Sequence, residues 1–153
     1  LHFENSFSYV AGQFSQSIDG SDKLPFIPAP RLLSVLRANA NKMGNALRNA
    51  YVKLELDYNS TQNRVFTGYD TETPTTGYSL LNLGIGTEFV SKGRTLFSIN
   101  LGINNLTDAS YQNHLNRLKY TDTNAVTGRM GVFSMGRNLS LKLNIPLNFK
   151  VAS

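Results

Sequence analysis

The chain is predicted to be all-β, with about six antiparallel strands of the transmembrane β-barrel type and two long loops, and residues 1–153 form a single segment. Three observations predict this. Apolar and polar residues alternate with a period of two over unusually long runs, which aims them at opposite faces of a strand. Only 16% of the residues are charged, while Asn, Ser, Thr and 12 Gly are plentiful, a balance that suits a barrel lumen and its loops. Long polar connections also alternate with tight turns, the asymmetry of barrels whose long loops are extracellular.

The length and the other counts bound the remaining possibilities. A chain of 153 residues is long enough for one domain and too short to expect two. The absence of Cys removes disulfide frameworks and thiolate metal sites. The net charge of +5 raises the question of nucleic acid, but Lys and Arg occur singly along the sequence, without the stripe that nucleic-acid binding needs. No run approaches the roughly 18 apolar residues of a membrane helix, and a β-barrel would not show one. The first residue is Leu1 and no signal peptide is visible, so the chain reads as a mature product or an excised piece.

Residues 1–14 place Leu1, Phe3, Phe7, Tyr9 and Ala11 against His2, Glu4, Ser6 and Ser8, an alternating strand whose apolar side Asn5 interrupts. The polar stretch 15–23, with Asp19-Gly20, reads as a loop or turn. Pro25, Pro28 and Pro30 cannot donate to a ladder, so 24–31 is an extended lead-in or an edge. A strand over 32–40 follows, then a short turn around Gly44. Residues 48–58 alternate again, with Ala50, Val52, Leu54, Leu56 and Tyr58 opposed to Asn49, Tyr51, Lys53, Glu55 and Asp57. Residues 59–77 have no strong period and form the first long loop.

The strand beginning at Tyr78 sets Leu81, Leu83, Ile85 and Phe89 against Asn82, Gly84, Gly86 and Glu88. Ser91-Lys92-Gly93-Arg94 is a tight hairpin turn, and the return strand alternates Phe97, Ile99, Leu101 and Ile103 against Ser98, Asn100 and Gly102. Residues 105–131 are the second long loop.

The final stretch, 130–149, carries the clearest pattern. Its odd positions are Phe133, Met135, Arg137, Leu139, Leu141, Leu143, Ile145, Leu147 and Phe149, against Ser134, Gly136, Asn138, Ser140, Lys142, Asn144, Pro146 and Asn148. A helix would scatter the leucines around its axis. The run exceeds both the 5 or 6 residues usual in soluble strands and the roughly 9 to 11 needed to cross a bilayer. Its odd side is therefore expected to face lipid. Arg137 would cost roughly 2 to 4 kcal/mol at the midplane and 0 to 1 near an interface, where its side chain can snorkel.

Several of these residues together resemble a family. Gly77-Tyr78-Ser79-Leu80-Leu81-Asn82-Leu83, Asn104-Asn105-Leu106-Thr107-Asp108, Tyr111, His114 to Tyr120, the terminal Gly136-Arg137-Asn138 strand and the Leu24-Pro25-Phe26-Ile27-Pro28 run resemble the C-terminal barrel end of TonB-dependent outer-membrane receptors, especially those of Bacteroidetes. The resemblance covers nearly the whole chain. It implies a barrel of about 22 strands around a plug, in the bacterial outer membrane, importing a siderophore, haem, cobalamin or similar scarce nutrient. It implies as partners outer-membrane lipid, the rest of the receptor barrel and plug, a TonB-type energy-coupling protein and a small-molecule cargo. About six strands amount to the last quarter of such a barrel. The chain also runs on past Phe149 to Lys150-Val151-Ala152-Ser153, where the family commonly ends on the aromatic.

Residue chemistry adds little to this. His2 and His114 are the only histidines, and neither has partners at metal-ligand spacing; no cofactor is expected. Arg64, Tyr69, His114 and Arg117 are the candidate ligand-contacting loop residues, their plainer reading being solvated loop. Ser110, Asn113 and His114 would be the components of an outer-membrane hydrolase, but no rigid scaffold or oxyanion donor accompanies them, and the chain is read as a non-enzyme. Gly84, Gly86 and Gly102 alternate within strands, as close-packing positions and not as a phosphate loop. Glu55 and Asp57 beside Lys53 read as a salt-bridged wall. The alternative to a membrane wall is a soluble small-ligand-binding β-barrel with its apolar faces inward, since periodicity alone does not choose between core and lipid.

Overall fold

A computed structural model describes residues 1–147 of the chain. Its strands are β1 (His2–Ser8), β2 (Gln13–Ile18), β3 (Ser21–Lys23), β4 (Arg31–Met43), β5 (Leu47–Asn59), β6 (Tyr78–Ser91), β7 (Arg94–Asn104) and β8 (Asn138–Asn144). Six of them form one sheet in the order β1-β4-β5-β6-β7-β8, and β2 pairs only with β3. Every pairing is antiparallel. Among the described residues the large sheet does not close: β1 and β8 are its two edges.

The register shows why alternation in the sequence becomes a two-sided sheet. Directly paired residues share a face. One row runs Phe3, Leu36, Leu54, Leu83, Ile103, Leu139 across all six strands. The next runs Ala38, Val52, Ile85, Leu101, Leu141. The opposite face carries Arg37, Lys53, Gly84, Gly102 and Ser140 in one row and Asn39, Tyr51, Gly86, Asn100 and Lys142 in another. Asn5, the polar residue on the apolar side, is paired with Ser34, whose hydroxyl donates to its side-chain oxygen at 2.6 Å. Two polar groups on the apolar face thus satisfy each other.

The polar face is internally bonded. Arg31 grips Asp57 with two guanidinium nitrogens, at 2.7 and 2.8 Å. Lys53 Nζ donates to Glu55 at 3.1 Å and Asn82 to the same carboxylate at 2.8 Å. The expected salt-bridged wall is present, with Arg31 as a further member. Gly86 shows the use of a missing side chain. A Cβ there would stand 2.5 Å from the Tyr51 ring, which crosses the strand to bond Asn100 by its hydroxyl at 3.1 Å and is itself covered by the Arg37 guanidinium at 4.1 Å.

The two ends of the sheet differ. At one end β4 turns into β5 through Gly44–Ala46 and β6 into β7 through Lys92-Gly93. Lys92 and Gly93 both have positive φ, at 48° and 77°, the backbone that fits a two-residue hairpin. At the other end lie all the long connections: 9–30, 60–77 and 105–137. There are three of these and not two.

Several expectations are corrected. The first strand ends at Ser8, because its partner β4 begins at Arg31, behind Pro30. The turn expected at Asp19-Gly20 is present, with φ of 47° and 78°, but strands β2 and β3 flank it and make residues 13–23 a hairpin. The closing strand spans Asn138–Asn144 and does not start at Phe133. Upstream of it, Ser134 N–H bonds the Tyr111 carbonyl at 2.9 Å and Arg137 N–H bonds Asp108 at 2.7 Å, so this backbone is pinned to the third connection. Phe133 is accordingly half-buried under the Arg129 guanidinium, Met135 stands exposed outside the ladder, and Arg137 is no part of a lipid-facing row. Leu139, Leu141 and Leu143 occupy the apolar face as expected. Ile145 and Leu147 are exposed beyond the ladder, where Pro146 has no N–H to offer. Phe149 lies outside the described residues.

We predict that Gly86→Val costs about 1 to 3 kcal/mol, read as a lower unfolding midpoint in thermal scans, because the Tyr51 ring must leave its place. Gly44→Ala, at a turn position with open space and a positive φ of 64°, tests backbone strain instead of crowding and is expected to cost about 1 kcal/mol.

Candidate functional site

The most enclosed part of the molecule is the cap formed by the three long connections. Among the described residues the buried apolar side chains are Val65, Phe66 and Leu80, and the buried polar ones include Gln62, Glu72, Asn105, His114 and Lys119. Polar groups without water must find each other, and here they do so across connections distant in sequence.

Glu72 is the centre of this network. One carboxylate oxygen accepts from the Phe26 backbone N–H at 2.9 Å and from His114 Nε2 at 3.0 Å; the other accepts from the Phe66 N–H at 2.8 Å. A single side chain, 1% exposed, therefore joins all three connections. His114 Nδ1 lies 2.8 Å from the Thr75 hydroxyl, which also takes a bond from Lys119 Nζ at 2.6 Å. Lys119 Nζ donates as well to the Thr73 carbonyl at 3.1 Å. These partners assign the tautomer: Lys119 donates to Thr75, Thr75 to Nδ1, and Nε2–H to Glu72. Gln62 completes the frame, with its amide nitrogen on the Ile27 and Pro28 carbonyls at 3.0 and 3.1 Å and its backbone paired with Thr75.

The His114 pKa is held below its ordinary value of 6.5, first by burial and then by the Lys119 ammonium, which together outweigh Glu72. The ring is neutral in the closed cap.

The candidate ligand residues fall in separate places. Arg64 is exposed and its guanidinium bonds the Tyr9 hydroxyl at 2.5 Å. Tyr69 is exposed, with φ of 53° and its N–H on Asp19 at 2.7 Å. Arg117 is exposed and stacks on the Phe26 ring at 4.6 Å. His114 is the exception: it is neither a solvated loop residue nor an outward contact, because both ring nitrogens are used inside the cap. Ser110 is not its partner either, since the Ser110 hydroxyl accepts from Arg129 at 2.6 Å. A cleft of about 350 Å³ opens between the second and third connections, where Tyr78, Tyr111, Tyr120 and Phe133 stand among Thr73, Thr75 and Lys119. It contains none of the four candidates. Among the described residues no three His, Cys, Asp or Glu side chains converge as metal ligands.

Sequence reasoning missed Glu72, Thr75 and Gln62, the pins of the cap. Nothing in the local pattern marks them, because their partners lie many residues away. No family model matches the chain, and neither a curated protein nor a solved structure matches it.

Two outcomes are expected. Glu72→Ala strands three donors and opens the cap at a cost of about 3 to 5 kcal/mol; limited proteolysis within 60–77 and 105–137 should accelerate at least about tenfold while the sheet signal in circular dichroism is kept. Acid should act in the same direction. Opened loops bind the His114 proton more readily than the closed cap, so cap stability is complete above about pH 6.5 and falls as the pH drops below it. Protease protection measured against pH checks this, and His114→Gln should flatten the profile.

Proposed function

We propose that the chain is part of the wall of a TonB-dependent receptor of the bacterial outer membrane that imports a scarce nutrient such as a siderophore, haem or cobalamin chelate. The observation that carries the membrane half of this reading is the apolar face. It runs across six strands, and many of its side chains stay exposed, among them Leu54, Leu56 and Ile85 at 40% and Leu139 at 74%, while Leu81, Leu83, Ile99 and Ile103 are half-buried. Soluble monomers rarely leave a contiguous apolar patch beyond a few hundred Å² open, and this one is about 24 Å wide at ~4.8 Å per strand spacing.

Strand length supports the same reading. The 13 residues of β5 extend about 43 Å at ~3.3 Å each, which at the tilt of roughly 40° usual in barrels spans about 33 Å. The hydrocarbon core is about 30 Å thick. The opposite face, with its ion pairs and amides, would line the lumen and meet the plug. The two open edges would pair with the remaining strands of the receptor, since an unpaired edge invites aggregation. Arg64, Tyr69 and Arg117 would be the outward contacts of the cap. The import role, the cargo class and the TonB-type energy-coupling partner rest on the sequence resemblance alone.

The competing soluble barrel needs the apolar face covered. Among the described residues no second sheet packs against it: β2 and β3 pair only with each other. Sedimentation of the chain with and without detergent separates the two: the wall reading expects aggregates that become folded, monodisperse particles only in micelles. A cooperatively folded monomer free of detergent would overturn it.

A further inference from the structure

The positive charge of the chain is unevenly placed. The cap segments 9–30, 60–77 and 105–137 hold six Lys or Arg and six Asp or Glu, so the cap is neutral. At the opposite end, Lys42, Arg48, Lys92 and Arg94 flank the two tight turns, with Glu88 as the single acid. These residues are scattered in sequence and gathered by the sheet. The turns lie side by side because β5 pairs with β6, Leu47 opposite Phe89, and the Val90 N–H bonds the Ala46 carbonyl at 2.7 Å. Lys42, Lys92 and Arg94 are exposed, and among the described residues none of the four basic groups forms a salt bridge. Arg48 instead donates to the Leu47 carbonyl at 3.1 Å.

A second feature lies beside the charges. Phe89 and Phe97 stack at 4.4 Å with their planes 21° apart, next to Leu47 on the same side of the sheet. Aromatic rings bordering an apolar band mark the level at which barrels pass from hydrocarbon to headgroups, and Lys and Arg just beyond that level meet lipid phosphates, to which anionic headgroups add an attraction that screens with salt.

We propose that this turn rim is a docking surface for anionic phospholipid headgroups, which anchor the tight-turn end of the sheet while the neutral cap faces away. The proposal rests on the membrane-wall reading. Charge complementarity selects this occupant, and the adjoining apolar face says that it is a lipid surface and not a soluble polyanion.

The test is partition of the full chain, delivered from micelles, into vesicles of phosphatidylcholine alone or mixed with phosphatidylglycerol, followed by flotation. The anionic lipid should raise partition at least about tenfold at low salt, and high salt should remove the rise. The triple variant Lys42→Gln, Lys92→Gln, Arg94→Gln should lose most of it, whereas Lys23→Gln, Arg129→Gln, Arg137→Gln in the cap should keep it, with both variants matching the parent in circular dichroism. Equal partition into the two lipids, or a loss that follows the cap variant instead, would overturn the rim proposal and leave the wall reading standing. Partition into neither lipid would overturn the wall reading and the rim with it.

Discussion

The register of the strands is the constraint on which everything else depends. Because side chains alternate strictly, a slip of one residue between β5 and β6 would exchange every partner for one of the opposite face. Leu54 would leave Leu83 for Asn82 or Gly84, and Lys53 and Glu55 would be carried among the leucines. Both sides of the sheet resist this. The apolar side holds rows of Leu, Val and Ile in mutual contact, and the polar side holds the Tyr51–Asn100 and Asn82–Glu55 hydrogen bonds at 3.1 and 2.8 Å. The one irregularity in this pairing falls between Arg48 and Tyr51, where Asn49 takes a φ of 50°. It sits at the tight-turn end, where bulges commonly re-aim the chain.

Cap and sheet are stabilised by different physics. The sheet hides little apolar surface from its surroundings on its own and relies on ladder hydrogen bonds and whatever covers its apolar face. The cap is closed by a buried carboxylate and a buried ammonium whose donors and acceptors come from remote segments. Removing such charges from water is costly, and the cost is offset only where good hydrogen bonds meet the charged groups. Glu72, with two backbone amides and a histidine, and Lys119, with a carbonyl and a hydroxyl, satisfy that condition.

What was legible in the sequence follows from the range of each signal. Period-two alternation is local, so β1 and β4 to β8 were visible, as was the Lys92-Gly93 hairpin. The Asp19-Gly20 turn was legible too, but not the strands beside it, because the flanking Ser and Gln residues do not alternate in hydrophobicity. Phe133 and Met135 extended the pattern of the last strand without being in it, since alternation does not reveal that Asp108 and Tyr111 take the backbone N–H groups of Arg137 and Ser134. The burial of His114 was illegible for the same reason: residues that fill a cap made of three distant segments have no period. The rim charges were read as scattered because sequence distance hides what strand pairing brings together.

In the proposed wall the face bearing Leu54 meets lipid and the face bearing Glu55 does not. The chain has no cysteine, so single cysteines can be placed in turn at residues 52 to 57 of β5 and spin-labelled in bilayers. Accessibility to oxygen dissolved in lipid is expected to peak at 52, 54 and 56, and accessibility to a water-soluble nickel reagent at 53, 55 and 57. Uniform accessibility along the strand, or the opposite phase, would contradict the wall reading.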